Sequence, residues 1–114
     1  MINSAIAIIP ARFGSTRLQG KPLLDINGKP MIVRVWEVVR KVLPTYVATD
    51  DSRIADVIKR EGGNAILTSV SCENGTARVA EAFAHINTDS KIVLNIQGDE
   101  PMVSETDINI LLTL

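Results

Sequence analysis

The chain has 114 residues, of which 46% are hydrophobic, and its formal net charge at pH 7 is -1. This length is typical of one folded domain, and the hydrophobic content excludes a disordered chain. A charge this close to zero excludes a nucleic-acid interface that covers the whole chain, so any cationic site must be local.

Features that the sequence lacks indicate the cellular compartment of the protein and how residues 1–114 relate to the whole protein. The single cysteine, Cys72, excludes an intrachain disulfide and a cysteine-based zinc cluster. No apolar run approaches the ~20 residues of a membrane span, and the first residues lack the basic and apolar regions of a signal peptide. We therefore expect a cytoplasmic protein. Residues 110–114 are typical of an amphipathic helix that lacks a closing cap, which predicts that residues 1–114 are part of a longer protein.

The first predicted element is a strand followed by a cationic loop. An apolar run over residues 5–9 predicts a buried strand that stops at Pro10. The loop after it contains Arg12, Arg17, Lys21 and two glycines, which let a ligand approach the backbone closely. Because an α/β sheet binds anions at the end of its first strand, this loop predicts a polyphosphate site.

The remaining pattern alternates between helix and strand. A short extended piece with an Asn27-Gly28 turn comes first. The further predicted elements are helices over about residues 31–42, 53–61 and 77–86, and strands over about residues 46–49, 65–68 and 91–96. Such alternation predicts an α/β fold with a mostly parallel sheet, helices on both faces and strand order 3-2-1-4.

Five residues receive structural roles from this pattern. Trp36 lies on the apolar face of the first helix, so we expect it in the core. Asp50, Asp51 and Ser52 are candidate caps of the second helix, and capping explains Asp50 better than binding of a ribose does. His85 has no partners for a catalytic triad, so we expect a surface or helix-end histidine.

The predicted strand order places two loops side by side. The order reverses between the first and fourth strands, where α/β proteins bind ligands. Arg12, Arg17 and Lys21 would then lie near Asp99 and Glu100. Arginine and lysine bind phosphate oxygens and a carboxylate binds Mg²⁺, so the arrangement predicts a magnesium-phosphate site at Asp99. Glu100 precedes a proline that restricts its backbone, which favours a structural role for it.

Two common nucleotide-binding motifs are excluded. A dinucleotide site requires G-x-G-x-x-G after the first strand, and that pattern is absent. A Walker A loop requires G-x-x-x-x-G-K-[ST], but Gly14 and Gly20 are one residue too far apart and Lys21 is followed by Pro22.

Several motifs together resemble one known family. They are Ile9-Pro10-Ala11-Arg12, Ser15-Thr16-Arg17-Leu18, Gly20-Lys21-Pro22-Leu23, Val47-Ala48-Thr49-Asp50, Gly75-Thr76 with Arg78, and Gln97-Gly98-Asp99-Glu100-Pro101. The set is similar to the 3-deoxy-manno-octulosonate (Kdo) cytidylyltransferases, also called CMP-Kdo synthetases. These enzymes have a Rossmann-like nucleotide-diphospho-sugar transferase fold, and they are longer than this chain. The resemblance therefore implies that residues 1–114 are the N-terminal, nucleotide-binding part of such a domain.

The resemblance also implies an activity and a set of site residues. The reaction is CTP plus Kdo to CMP-Kdo plus pyrophosphate, which activates Kdo for lipopolysaccharide synthesis and uses Mg²⁺ held by Asp99. Arg12, Lys21 and Asp99 are then the catalytic residues. The implied nucleotide-binding residues are Ala11, Arg12, Ser15, Arg17, Lys21, Gly75, Thr76, Arg78 and Gln97. The partners are CTP and Kdo, with no nucleic acid and no membrane span, and a homodimer is expected for the full-length protein.

Three positions depart from the pattern of that family. Gln19 stands where proline is usual, and Asn74 and Ala77 stand where serine and glutamate are usual. The side chain of Asn74 can still form hydrogen bonds, whereas that of Ala77 cannot. Two other functions stay open from the residues: a cytidylyltransferase for another sugar acid, such as a sialic-acid relative, and a nucleotide-binding module without catalysis.

Overall fold

A computed structural model of the chain describes residues 5–14, 20–72, 74–86 and 92–96. In chain order the strands are β1 (Ala5–Ala11), β2 (Asp25–Ile26), β3 (Lys29–Pro30), β4 (Thr45–Thr49), β5 (Asn64–Leu67) and β6 (Ile92–Asn95). The helices are α1 (Met31–Val39), α2 (Ser52–Arg60) and α3 (Gly75–Ala84), and a 3₁₀ helix, Lys21–Leu23, precedes β2.

The main sheet has the order β5-β4-β1-β6, and every pair in it is parallel. These strands are the third, second, first and fourth of the sheet along the chain, which confirms the predicted order. The register aligns Ala11 with Thr49 and Thr49 with Leu67, so the carboxyl ends of β1, β4 and β5 form one edge. The predicted Asn27-Gly28 turn is also confirmed, since it joins β2 to β3 as an antiparallel hairpin.

Helices cover both faces of the main sheet, as predicted. Alternate side chains of β1 point to opposite faces, so Ala7 and Ile9 pack with α1 and α2, while Ile6 and Ile8 pack with α3. Trp36 is buried among the first group, which confirms it as a core residue. The central strand β1 is buried along its whole length because it is covered twice.

The end of β1 differs from the prediction. The strand does not stop at Pro10 but continues through it to Ala11. The Ile8 carbonyl accepts a hydrogen bond from the Ile96 amide, so the backbone polar groups of Ile8 face β6. Residues two positions apart in a strand face the same neighbour, so Pro10, which lacks an N–H, also faces β6. The paired register with β6 already ends at Ile8 and Asn95, and the proline therefore disrupts no bond of the ladder.

Helix boundaries differ from the predicted ones by one to three residues. The first helix ends at Val39 rather than near residue 42, because the amide of Val42 bonds to the Val39 carbonyl in a tighter turn before Pro44. The second and third helices begin one and two residues earlier than predicted. Among the described residues, no helix combines the length and apolar character needed to cross a membrane.

Candidate active site

The cationic loop begins where β1 ends. Ala11 is buried as the last residue of the strand, and Arg12, the next residue, is exposed. No carboxylate among the described residues forms an ion pair with Arg12, so its charge is available to a ligand. Ser15 and Arg17, two further predicted nucleotide-binding residues, lie outside the described residues.

The two ends of this loop are joined by a hydrogen bond. The amide of Gly20 donates to the Phe13 carbonyl over 2.7 Å. Gly20 has a φ of 75°, and a Cβ there would lie 3.0 Å from Cε2 of the Phe13 ring. Lys21 follows at the start of the 3₁₀ helix, and buried Pro22 anchors that helix. Glycine is thus required where the loop closes, and the closure brings the Arg12 and Lys21 ends of the loop together.

Phe13 links the loop to α2. The Arg53 guanidinium lies over the Phe13 ring, and it also forms two hydrogen bonds to Asp51, at 3.1 and 2.8 Å. Asp51 caps α2 by accepting from the Arg53 amide at 2.8 Å. The side-chain bond from Arg53 holds the pKa of Asp51 below its usual value. No sequence pattern gives Phe13 or Arg53 a role, since the two side chains meet only when α2 packs beside β1.

Asp50 does not cap α2, and its predicted capping role is wrong. Asp51 is the cap, and the Asp50 side chain turns towards α3, where its Oδ2 lies 3.7 Å from Nη2 of Arg78. Arg78 is buried, and its Nη1 donates to Thr68 Oγ1 at 2.6 Å and to the Ser69 carbonyl at 3.2 Å. A buried arginine attracts the nearest carboxylate, and the sequence pattern alone does not show which aspartate that is.

The start of α3 carries the other predicted nucleotide ligands. Gly75 and Thr76 are the first two residues of the helix, and Thr76 is exposed. Asn74 caps the helix by accepting from the Ala77 amide at 2.8 Å, so its side chain satisfies one of the free amides at the start of the helix. Because α3 follows β5, its positive N-terminal end lies at the same sheet edge as the Arg12 loop.

The expected metal site cannot be assembled from the described residues. They contain no group of three or more His, Cys, Asp or Glu that could hold a metal ion. Asp99, Glu100 and Gln97, which the sequence places after the fourth strand, lie outside the described residues. That strand is present as β6 beside β1, so the strand arrangement on which the Asp99 prediction depends is confirmed.

A cavity at the other end of the sheet contains none of the predicted site residues. Its volume is about 390 Å³, and it is lined by Tyr46 and Asn64 at the starts of β4 and β5, together with Lys59 and His85. His85 is exposed at the C-terminal end of α3, which confirms a helix-end histidine.

A parallel sheet with a cationic loop after its first strand and a helix N-terminus at the same edge is typical of nucleotide-binding α/β proteins. The family model described as cytidylyltransferase matches residues 6–113. The chain belongs to the cytidylyltransferase family.

Individual relatives narrow this family. The chain is 48% identical over 114 residues to the 3-deoxy-manno-octulosonate cytidylyltransferase of Porphyromonas gingivalis, covering 99% of the chain and 45% of that protein. It is 46% identical to the enzyme of the same name from Escherichia coli, covering 97% of the chain and 46% of that protein. A solved CMP-Kdo synthetase complexed with CTP superposes with a TM-score of 0.89 at 46% identity, covering 96% of the chain and 46% of that structure. The predicted resemblance is confirmed, and the chain spans just under half the length of these relatives.

Proposed function

We propose that residues 1–114 form the N-terminal, nucleotide-binding part of an enzyme that converts CTP and Kdo to CMP-Kdo and pyrophosphate. The observation that carries the proposal is the similarity, over 96% of the chain, to a CMP-Kdo synthetase complexed with CTP. The chain covers 46% of that structure, so the proposal assigns the rest of the sugar pocket to residues beyond this segment.

In the proposed reaction the anomeric 2-hydroxyl of Kdo attacks the α-phosphate of CTP. Negative charge then grows on the transferred group and on the leaving pyrophosphate, and fixed cations lower the barrier by meeting that charge. Arg12 and Lys21 supply such cations at the two ends of the closed loop. The bond between Gly20 and Phe13 supports this role, because it fixes the distance between the loop's ends before the nucleotide arrives.

The base and ribose are assigned to the start of α3 and the end of β1. The Ala11–Arg12 backbone, Gly75, Thr76 and Arg78 would form this end of the site together with Gln97. A pocket shaped to a pyrimidine excludes a purine by size, whereas rejection of UTP depends on hydrogen bonding to the amino group of cytosine. We therefore expect tighter binding of CTP than of ATP, and similar dissociation constants for the two would contradict this assignment.

Mg²⁺ is proposed as the cofactor, held by Asp99. A carboxylate at the end of a strand suits this hard cation, which takes one or two protein carboxylates and fills its remaining positions with phosphate and water. When bound, the ion draws charge from the phosphate oxygens. Asp99→Asn keeps the shape and removes the charge, so it should abolish Mg²⁺-dependent turnover and leave the fold intact; retained turnover would remove Asp99 from the site.

The biological setting is proposed from the same family. CMP-Kdo would supply activated Kdo for lipopolysaccharide synthesis in the cytoplasm, and the full-length enzyme would be a homodimer. Sedimentation of the full-length protein tests the dimer directly, since a monomeric mass at the concentration used for assays would contradict it.

The decisive experiment supplies the purified full-length protein with CTP, Mg²⁺ and either Kdo or a sialic acid, and measures pyrophosphate release. Release with Kdo and not with the sialic acid is the expected result. The reverse preference would indicate a cytidylyltransferase for another sugar acid. Tight CTP binding without pyrophosphate from either acid would indicate a nucleotide-binding module.

The proposed extent of the chain is tested by assaying the 114-residue segment alone beside the full-length protein. We expect the segment to bind CTP weakly and to release no pyrophosphate, because the proposal assigns part of the metal site and much of the sugar pocket to later residues. Turnover by the segment near that of the full-length protein would show that the site is complete within residues 1–114.

A further inference from the structure

Arg78 joins three elements at the carboxyl edge of the sheet. Its side chain is only 4% exposed, although arginine is usually a surface residue. One guanidinium nitrogen donates to the Thr68 hydroxyl and the Ser69 carbonyl after β5, and another faces the Asp50 carboxylate after β4. The start of α3 is therefore fixed to the ends of both neighbouring strands through a single side chain.

The position of the Asp50 side chain beside Arg78 leaves one carboxylate oxygen without a hydrogen bond to any described residue. That side chain is 17% exposed, and its Oδ1 is buried without a hydrogen-bond partner among the described residues. A buried carboxylate oxygen that lacks a partner is unfavourable by itself. Removing the carboxylate would nevertheless leave the Arg78 cation buried and uncompensated, which is worse than the imperfect pair. The side chain of Asp50 is thus explained by the charge of Arg78 rather than by its own hydrogen bonds.

A second residue of α3 fixes the same loop. Glu81, one turn after Arg78, accepts from the Ser69 amide at 2.7 Å and lies 3.5 Å from the Cys72 thiol. The loop between β5 and α3 is therefore bonded to Glu81 of the helix at two positions, Ser69 and Cys72. Its last residues lead directly into Gly75 and Thr76, the turn assigned to the nucleotide.

We propose that Asp50, together with Thr68, is a positioning residue: the two hold the Arg78 guanidinium, and through it the Gly75–Thr76 turn, in the geometry that accepts the nucleotide. This inference rests on the proposed function, since it names what aligns the base and ribose end of that site. Asp50 acts only through Arg78 and does not itself touch the nucleotide.

The test measures CTP binding to the full-length protein by calorimetry, at a temperature at which circular dichroism shows every variant folded. Asp50→Asn keeps the shape and removes the charge, and it should raise the dissociation constant at least about tenfold, because small displacements of a positioned group are costly. The matched control is Asp56→Asn, which removes the same charge from an exposed position on α2 and should leave the constant unchanged.

A double-variant cycle separates positioning from a general loss of stability. If Asp50 acts through Arg78, the variant with both Asp50→Asn and Arg78→Gln should bind CTP no more weakly than Arg78→Gln alone. Losses that multiply would show that Asp50 acts independently of Arg78 and would overturn the inference. If Asp50→Asn does not fold, Thr68→Val is compared with Thr68→Ser, which keeps the hydroxyl; equal dissociation constants for these two would also overturn it.

The outcomes for the two proposals are distinguishable. If the unmodified protein binds no CTP, the proposed function is wrong, and the positioning role is wrong with it. If the unmodified protein binds CTP and folded Asp50→Asn binds it equally well, the positioning role alone is wrong.

Discussion

The guanidinium carbon of Arg53 lies 3.6 Å from the centroid of the Phe13 ring. This cation–π contact joins the first turn of α2 to the loop that follows β1. Arg53 is itself oriented by its two bonds to the Asp51 carboxylate. The aromatic ring at the base of the cationic loop is therefore held by α2, and it lies so close to Gly20 that a Cβ added there would be 3.0 Å from it.

The closing glycine of the loop gives the first prediction. Alanine in a left-handed conformation costs about 1–2 kcal/mol. Gly20→Ala should lower the free energy of unfolding by more than this, because the new Cβ would also lie only 3.0 Å from the Phe13 ring. The matched control is Gly28→Ala, where φ is 94° and nothing lies within 4 Å of the new Cβ. Urea unfolding of both variants measures the difference, and equal losses would show that the ring moves aside freely.

The acid dependence of stability should involve Asp51. Its pKa is lowered in the folded protein, first by the side-chain bond from Arg53. The stabilisation that ionised Asp51 gives the folded protein is therefore complete above the pKa of this carboxyl in the unfolded chain, about 3.9. It is lost as the pH falls through the lower pKa of the folded protein. Asp51→Asn retains a capping oxygen but cannot titrate, so its melting temperature should fall less than that of the unmodified protein between pH 5 and pH 3.

A control for the acid prediction is Asp56→Asn, which removes a carboxylate from an exposed position of the same helix, outside its first turn. Its loss of melting temperature between the two pH values should stay close to that of the unmodified protein. A separate variant, Asp51→Ala, should lower the free energy of unfolding at pH 7 by about 1 kcal/mol, the usual cost of losing an N-cap. Parallel acid profiles for Asp51→Asn and the unmodified protein would contradict the role given to the Arg53 bond.

The contact between α1 and the end of α2 gives a packing prediction. A Cβ at Gly63 would lie 2.7 Å from Cγ2 of Ile58 and 2.8 Å from the Trp36 ring. Both neighbours are buried, so Gly63→Ala should lower the free energy of unfolding by about 1–3 kcal/mol through overpacking. In thermal unfolding, the variant with both Gly63→Ala and Trp36→Phe should lose less stability than the sum of the losses of the two single variants, since the smaller ring leaves room for the new Cβ. Losses that simply add would show that the strain does not arise at the Trp36 ring.

Nucleotide affinity should follow the local charge at the loop. Arg12→Ala should weaken CTP binding at least about tenfold, because a charge-assisted hydrogen bond to phosphate is worth about 1.5–3 kcal/mol. Lys59→Ala is the control, since it removes the same charge from the exposed far end of α2. Calorimetric titration of both variants decides the point, and small, equal losses would mean that the loop after β1 does not hold the phosphates.

Pro10 and Asp50 differ from their predicted roles for the same reason, which is that tertiary packing decides both. Pro10 has no N–H and was expected to end its strand, yet β1 continues because that position faces the side where pairing with β6 is already finishing. Asp50 and Asp51 are equally good caps by residue type. Only the packing of α3 against the sheet, which brings buried Arg78 to Asp50, separates their roles.

The sequence by itself determined the elements and the order of the main sheet, because periodicity and turn residues act over a few neighbours and the handedness of parallel connections restricts the winding. It also determined the family, through motifs spread from Ile9 to Pro101. Only the tertiary structure decided which side chains meet. The pairs Phe13–Arg53 and Asp50–Arg78 each join residues separated by more than twenty positions, and such contacts depend on how helices pack on the sheet rather than on any local pattern.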